Sequence, residues 1–269
     1  MAKPSNTGYA QVNGLDMYYE IYGSGGVPLV LLHGAFSAIG SSFERLLPGL
    51  SAKRQVVAFE LQGHGRTADI ERPMSLEAMA DDVAAAIGKL GLGQADIFGY
   101  SMGAGVALHT ALRHPKAVRK LVLASVTYTL AGLHPGLLEG MGEMSPDMMI
   151  GSPWHDEYMR LAPRPGDFAR LFAKKSEMDR GTKDIPAAAI RALGAPTLLI
   201  IGDSDIIQPE HAVEMFRLLG GGVAGDMAGL PRSQLAILPG TTHVTLASRD
   251  DLLIPIVVPF LDAPLGEAQ

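Results

Sequence analysis

Apolar and polar positions alternate from Tyr9 to Tyr22 on either side of Asn13-Gly14. Asn-Gly suits the positive φ angles of a tight turn, so the pattern predicts an antiparallel hairpin at the start of the chain. Pro28–Leu32 and Gln55–Phe59 are short apolar runs rich in branched residues and bounded by turn formers, which predicts strands buried on both faces. Ser41–Leu50, between them, predicts a short helix. The period then lengthens: Leu76, Met79, Val83, Ile87 and Leu90 recur at helical spacing behind Ser75, with Glu77, Asp81 and Asp82 early in the run. Ala95–Phe98 reads as a strand, Met102–His114 as a helix stopped by Pro115, and Val118–Ala124 as the sixth strand.

From Tyr128 to Ile185 the alternation fails, and the segment gathers methionines, prolines, the single Trp154 and short helical fragments. It resumes with Pro196–Ile201 as strand, Pro209–Leu219 as helix, Gln234–Leu238 as strand and Leu246–Leu261 as the last helix. Repeated strand–helix alternation with nearly all-apolar strands implies an α/β fold, a mostly parallel eight-stranded sheet with helices on both faces. The division that follows is 1–127 and 186–269 as two parts of one core, with 128–185 inserted after the sixth strand as a helical lid.

Composition narrows the chemistry. Of 269 residues, 47% are hydrophobic and 19% charged, an ordinary globular balance. The net charge of −6 includes no run of Lys and Arg able to neutralise a row of phosphates, which argues against nucleic acid as a partner. With no cysteine, disulfides, thiol nucleophiles and thiolate metal sites drop out together. Met1–Thr7 lacks the apolar stretch of a secretory signal, and the apolar run Leu252–Leu261 is short and broken by Pro255 and Pro259. The expectation is a cytoplasmic protein with no membrane span, compatible with a homodimer.

The chemistry centres on Gly99-Tyr-Ser-Met-Gly103, a G-x-S-x-G pattern. Glycine is abundant, so the pattern gains its weight from position: it leaves a strand and enters a helix, the setting of a serine held on a sharp turn above a sheet. A serine hydroxyl is a poor nucleophile without a base. Of the eight histidines, His243 alone lies just past the last strand and before the final helix. Loops at the carboxyl ends of parallel strands gather along one edge, which lets His243 meet Ser101. His33 and His64 sit in glycine-flanked loops and read as loop braces. The imidazole needs a carboxylate behind it, and Gly202-Asp-Ser-Asp-Ile206 offers two. Asp203 follows the glycine and suits a turn tie, whereas Asp205 stands further out before Ile206-Ile207, so Asp205 is the expected acid. The corresponding loop after Ala124 holds only Ser125, Val126 and Thr127. Oxyanion donors are expected from the backbone of Met102 and of Ala35, in His33-Gly34-Ala35-Phe36, with Phe36 the alternative.

These residues resemble the α/β-hydrolase superfamily, in its lid-bearing branch of small bacterial esterases, lactonases, C–C hydrolases and perhydrolases. The resemblance rests on His33-Gly34, Gly63-His64-Gly65, Gly99–Gly103, His114-Pro115, Gly202–Asp205 and Gly240–His243, and covers nearly the whole chain outside the insertion. Glu60 stands where many relatives carry Asp and reads as a structural carboxylate. Ser101 replaces the Asp of epoxide hydrolases and haloalkane dehalogenases, which disfavours both activities. The resemblance implies a cofactor-free serine hydrolase acting on a small-molecule ester or lactone. A C–C hydrolase, lyase or perhydrolase using the same triad is the alternative, and a non-catalytic receptor is a third reading. No metal-binding spacing of the H-E-x-x-H kind occurs. Phe36, Tyr100 and Trp154 are expected to touch substrate, and Met141, Met144, Met148, Met149 and Met159 are candidates to line a deformable pocket.

Overall fold

The computed structural model describes residues 2–265. Eight strands run in chain order as β1 (Asn6–Val12), β2 (Leu15–Tyr22), β3 (Leu29–Leu32), β4 (Val56–Phe59), β5 (Ala95–Tyr100), β6 (Val118–Ala124), β7 (Thr197–Ser204) and β8 (Gln234–Thr242). They form one sheet in the order β1-β2-β4-β3-β5-β6-β7-β8. The β1–β2 and β2–β4 pairs are antiparallel and every other pair is parallel. The opening hairpin turns where expected, with φ of 48° at Asn13 and 81° at Gly14.

Burial on both faces explains the unbroken apolar strands. Val30 and Leu32 enter one core with Val57 and Phe59, while Leu29 and Leu31 enter the other with Val56 and Ala58. Successive side chains point to opposite faces, so each strand feeds both cores. Helices α3 (Leu76–Lys89) and α4 (Met102–Arg113) cover the first face. Helices α1 (Ile39–Phe43), α2 (Leu47–Leu50) and, at the end of the chain, α12 (Asp250–Asp262) cover the second. Ser75 caps α3 by accepting from Ala78 N at 3.0 Å.

Two expected helices are divided. The 41–50 segment forms α1 and α2, because Pro48 lacks the N–H that a continuous helix requires and sits instead in the first turn of α2. The last helix is α12 preceded by the single turn α11 (His243–Leu246), with Asp250 and Asp251 at the positive end of the α12 dipole. Both C-terminal strands outrun their apolar cores, and Ser204 pairs with Thr242. The reason is Asp203, whose carboxylate accepts from Gly240 N at 2.9 Å and Thr241 N at 3.1 Å and so holds the two strand ends together.

Between β6 and β7 the chain runs through α5 (Leu137–Gly142), α6 (Pro153–Leu161), α7 (Phe168–Gly181) and α8 (Ala187–Arg191), with short 3-10 turns. Residues 128 and 185 lie together, Ile185 N donating to Tyr128 O at 2.8 Å. Helix α7 is anchored to the loop after β4, where Asp69 receives Arg170 at 2.8 Å and Lys174 at 2.7 Å. Helix α9 (Pro209–Leu218) follows β7, and the glycine-rich loop before β8 contains one turn, α10 (Gly225–Ala228).

Candidate active site

Ser101 stands between β5 and α4 with φ of 55° and ψ of −121°. A non-glycine residue at positive φ is strained and needs support from its surroundings. Here the support is close backbone packing. A Cβ on Gly99 would meet Gly103 O at 2.2 Å, and one on Gly103 would meet Leu32 O at 2.1 Å. The glycines of the motif thus let strand and helix approach closely enough to bend the chain at Ser101.

The sheet edge brings the three expected side chains together. Ser101 Oγ lies 3.0 Å from His243 Nε2, and His243 Nδ1 lies 2.9 Å from Asp205 Oδ1. The carboxylate fixes the ring tautomer: Nδ1–H donates to Asp205, leaving Nε2 to accept the serine proton. Asp205 is buried. Burial alone would raise its pKa, but bonds from His243, Ser125 and Gly202 N hold it below the usual carboxylate range. Its Oδ1 also accepts from Ile206 N at 2.7 Å and its Oδ2 from Gly202 N at 3.2 Å. Asp203 takes no part, being committed to the ends of β8.

Ser125 is a participant that sequence reasoning missed. It occupies the loop after β6 and donates its hydroxyl to Asp205 Oδ2. Only the absence of an acid at this position was readable, since a serine after a strand has no distinctive pattern. Ser125 too has positive φ, 58°. Tyr100 donates its hydroxyl to His243 O at 2.7 Å, and its ring lies 5.5 Å from the imidazole. Burial, reinforced by the Asp205 charge, pushes its phenol pKa up, so it stays protonated.

The two buried loop histidines brace, as expected. His33 Nε2 accepts from Leu61 N at 3.0 Å, and its Nδ1 bonds Gly34 O at 2.7 Å. His64 Nδ1 bonds Gln62 O at 2.9 Å. Burial depresses the pKa of His33 to about 4 and, with help from the neighbouring His33, that of His64 to about 3. Glu60 is structural: its Oε1 pairs with Arg66 at 2.8 Å, and its carboxylate also receives Arg66 N. Burial raises its pKa to about 7.

Above Ser101 opens a cavity of about 430 Å³, within the range of small-molecule sites. Phe36, Tyr100 and Trp154, expected at the substrate, all line it, as do Ala35, Met102 and His243. The chain bends after Ala35, where Phe36 takes φ of 57°. Of the candidate methionines, Met141, Met144 and Met149 reach the cavity. Met148 and Met159 do not, and their exposures of 70% and 44% place them on the outer surface. Lys175 and Asp179, which sequence reasoning did not single out, also line it. An i,i+4 pair of opposite charge on a helix ordinarily reads as a solvated face. No group of three or more His, Asp or Glu able to hold a metal occurs among the described residues. Nor, among them, is any helix long and apolar enough to cross a membrane.

The model of the alpha/beta hydrolase fold matches residues 27–187, and the chain belongs to this family. It is 30% identical to the 2-hydroxymuconate semialdehyde hydrolase of Pseudomonas sp. strain CF600 over 207 residues, 68% of this chain and 72% of that one. To the pimeloyl-[acyl-carrier protein] methyl ester esterase of Neisseria meningitidis serogroup A it is 28% identical over 258 residues, 88% and 77% of the two chains. In structure it resembles the meta-cleavage product hydrolase of Pseudomonas fluorescens IP01. That likeness has a TM-score of 0.73 at 22% identity over 96% of this chain and 97% of that one, and concerns the fold.

Proposed function

We propose that this α/β hydrolase cleaves a carboxylic ester or lactone through an acyl-enzyme on Ser101. The observation that carries the reading is the continuous chain from Ser101 Oγ through His243 to Asp205, at 3.0 and 2.9 Å, on the floor of an apolar cavity. His243 Nε2 takes the hydroxyl proton as Oγ attacks the substrate carbonyl, and Asp205 stabilises the imidazolium that results. The backbone N–H groups of Ala35 and Met102 receive the oxyanion. Met102 opens α4, where first-turn N–H groups have no partner within the helix. Collapse of the intermediate expels the alcohol, which takes the proton from His243. Water, deprotonated by the same base, then releases the acid and restores Ser101. Residues 128–185 act as a lid, placing Trp154, Met141 and Met149 over the serine. No cofactor is required.

Cleavage of a C–C bond by the same residues is the second reading, favoured by the likeness to 2-hydroxymuconate semialdehyde hydrolase. A serine-directed phosphonate followed by mass spectrometry tests both, since failure to label Ser101 overturns them together. Parallel assays with simple aryl esters and a vinylogous diketone then separate the two.

A further inference from the structure

The cavity above Ser101 is lined mainly by apolar side chains, yet α7 turns a charged pair into its wall. Lys175, Met178 and Asp179 share one helical face and all line the cavity. Lys175 and Asp179 are the only Lys, Arg, Asp or Glu residues of the lining, among those described. Lys175 is 6% exposed, and its Nζ lies 2.6 Å from each Asp179 carboxylate oxygen. Asp179 is partly exposed, whereas Lys175 is buried, and desolvating an ammonium commonly costs as much as its pairing returns, so an apolar side chain at 175 would pack this wall at least as well. An ammonium has three donors. Among the described residues, those of Lys175 meet only Asp179.

Topology decides which part of a substrate faces this pair. Asp205 follows β7 and His243 follows β8, both on one side of β5, whereas β3 and β4 lie on the other. Helix α7 packs over that other side: Phe172 stacks on Phe36 of the loop after β3 at 5.6 Å, and Lys174 and Arg170 grip Asp69 after β4. Because His243 must protonate the leaving alcohol, the alcohol faces β8 and the acyl arm extends toward α7.

A terminal carboxylate on that arm would add a second negative charge where Asp179 already balances Lys175, leaving the pair and its ligand with a net negative charge beside a mainly apolar wall. A neutral hydroxyl suits the pair better, accepting from the ammonium and donating to the carboxylate. Resting on the serine-hydrolase reading, we propose that the cavity takes esters or lactones whose acyl arm ends in a neutral hydroxyl, recognised jointly by Lys175 and Asp179.

The test measures kcat/KM of the full chain with p-nitrophenyl hexanoate, the ω-hydroxyhexanoate and the adipate monoester. The parent is expected to favour the hydroxy over the alkyl ester by about tenfold and to turn over the adipate monoester least well. Lys175→Met removes one of the two bonds and should lower the hydroxy-to-alkyl ratio to about threefold, with the bond to Asp179 remaining. Asp179→Asn, which leaves the ammonium unbalanced, should make the adipate monoester the best of the three. Thermal unfolding checks that each variant folds, and if Lys175→Met does not, the reversal in Asp179→Asn carries the test. Equal hydroxy and alkyl rates in the parent, or no reversal in Asp179→Asn, overturns the proposal while leaving the hydrolase reading intact. Loss of both ester turnover and phosphonate labelling in the parent overturns the two together.

Discussion

The hydroxyl of Ser125 donates to Asp205 Oδ2, while Oδ1 holds His243 Nδ1 at 2.9 Å and also accepts from Ile206 N. The carboxylate is therefore gripped from the end of β6 as well as from its own loop, and both of its oxygens are oriented before substrate arrives. Removing one such bond to a charged group weakens the alignment without dismantling it. Ser125→Ala is expected to lower kcat about tenfold with KM little changed, read from ester hydrolysis under saturating substrate.

Asp203 and Asp205 differ by two positions and in everything else. Asp205→Asn removes the charge that stabilises the imidazolium and should reduce kcat by about 10⁴. Asp203→Asn disturbs only the tie to Gly240 and Thr241, so its effect should stay within about tenfold. Equal losses in the two variants would mean that the acid has been wrongly assigned.

The bend at Ser101 depends on glycine as backbone space. Since a Cβ at Gly103 would lie 2.1 Å from Leu32 O, and neither β3 nor α4 can move without disturbing the core, Gly103→Ala should cost at least about 3 kcal/mol in urea unfolding. A near-neutral result would show that the elbow is looser than its contacts imply.

Buried neutral histidines make the fold acid-sensitive. His64 has its pKa lowered from 6.5 to about 3 by burial first and by His33 next. Only the unfolded chain therefore takes up its proton as pH falls below 6.5, and stability present above that value is lost toward acid. Between about pH 7 and about pH 5 this one group removes about 2 kcal/mol. His33 acts in the same sense. Glu60, raised to about 7 by burial, acts in the opposite one, which is why the comparison must be with a variant. His64→Phe should lose about 2 kcal/mol less than the parent over that interval, measured by urea unfolding at both pH values.

Local readings succeeded where the reason for a residue lies near it in the chain. Asn13-Gly14 marked the hairpin, Ser75 the start of α3, and G-x-S-x-G between strand and helix the position of Ser101. They were blurred where an element is held from a distance. The extension of β7 and β8 depends on Asp203 reaching across to Gly240 and Thr241, and no periodicity in Gly202–Asp205 announces it.

The sequence by itself determined the sheet, because all-apolar strands alternating with amphipathic helices have few ways to bury both faces. It also set the order Ser, Asp, His, because motifs at strand ends converge on one edge. The sequence favoured Asp205 over Asp203, and the structure puts Asp205 at 2.9 Å from His243; only the tertiary structure decided that Ser125 completes its bonding and that Lys175 and Asp179 line a cavity. The His243–Asp205 and Ser125–Asp205 contacts join residues 38 and 80 positions apart, and an i,i+4 charge pair has the same spacing whether its helix faces solvent or substrate.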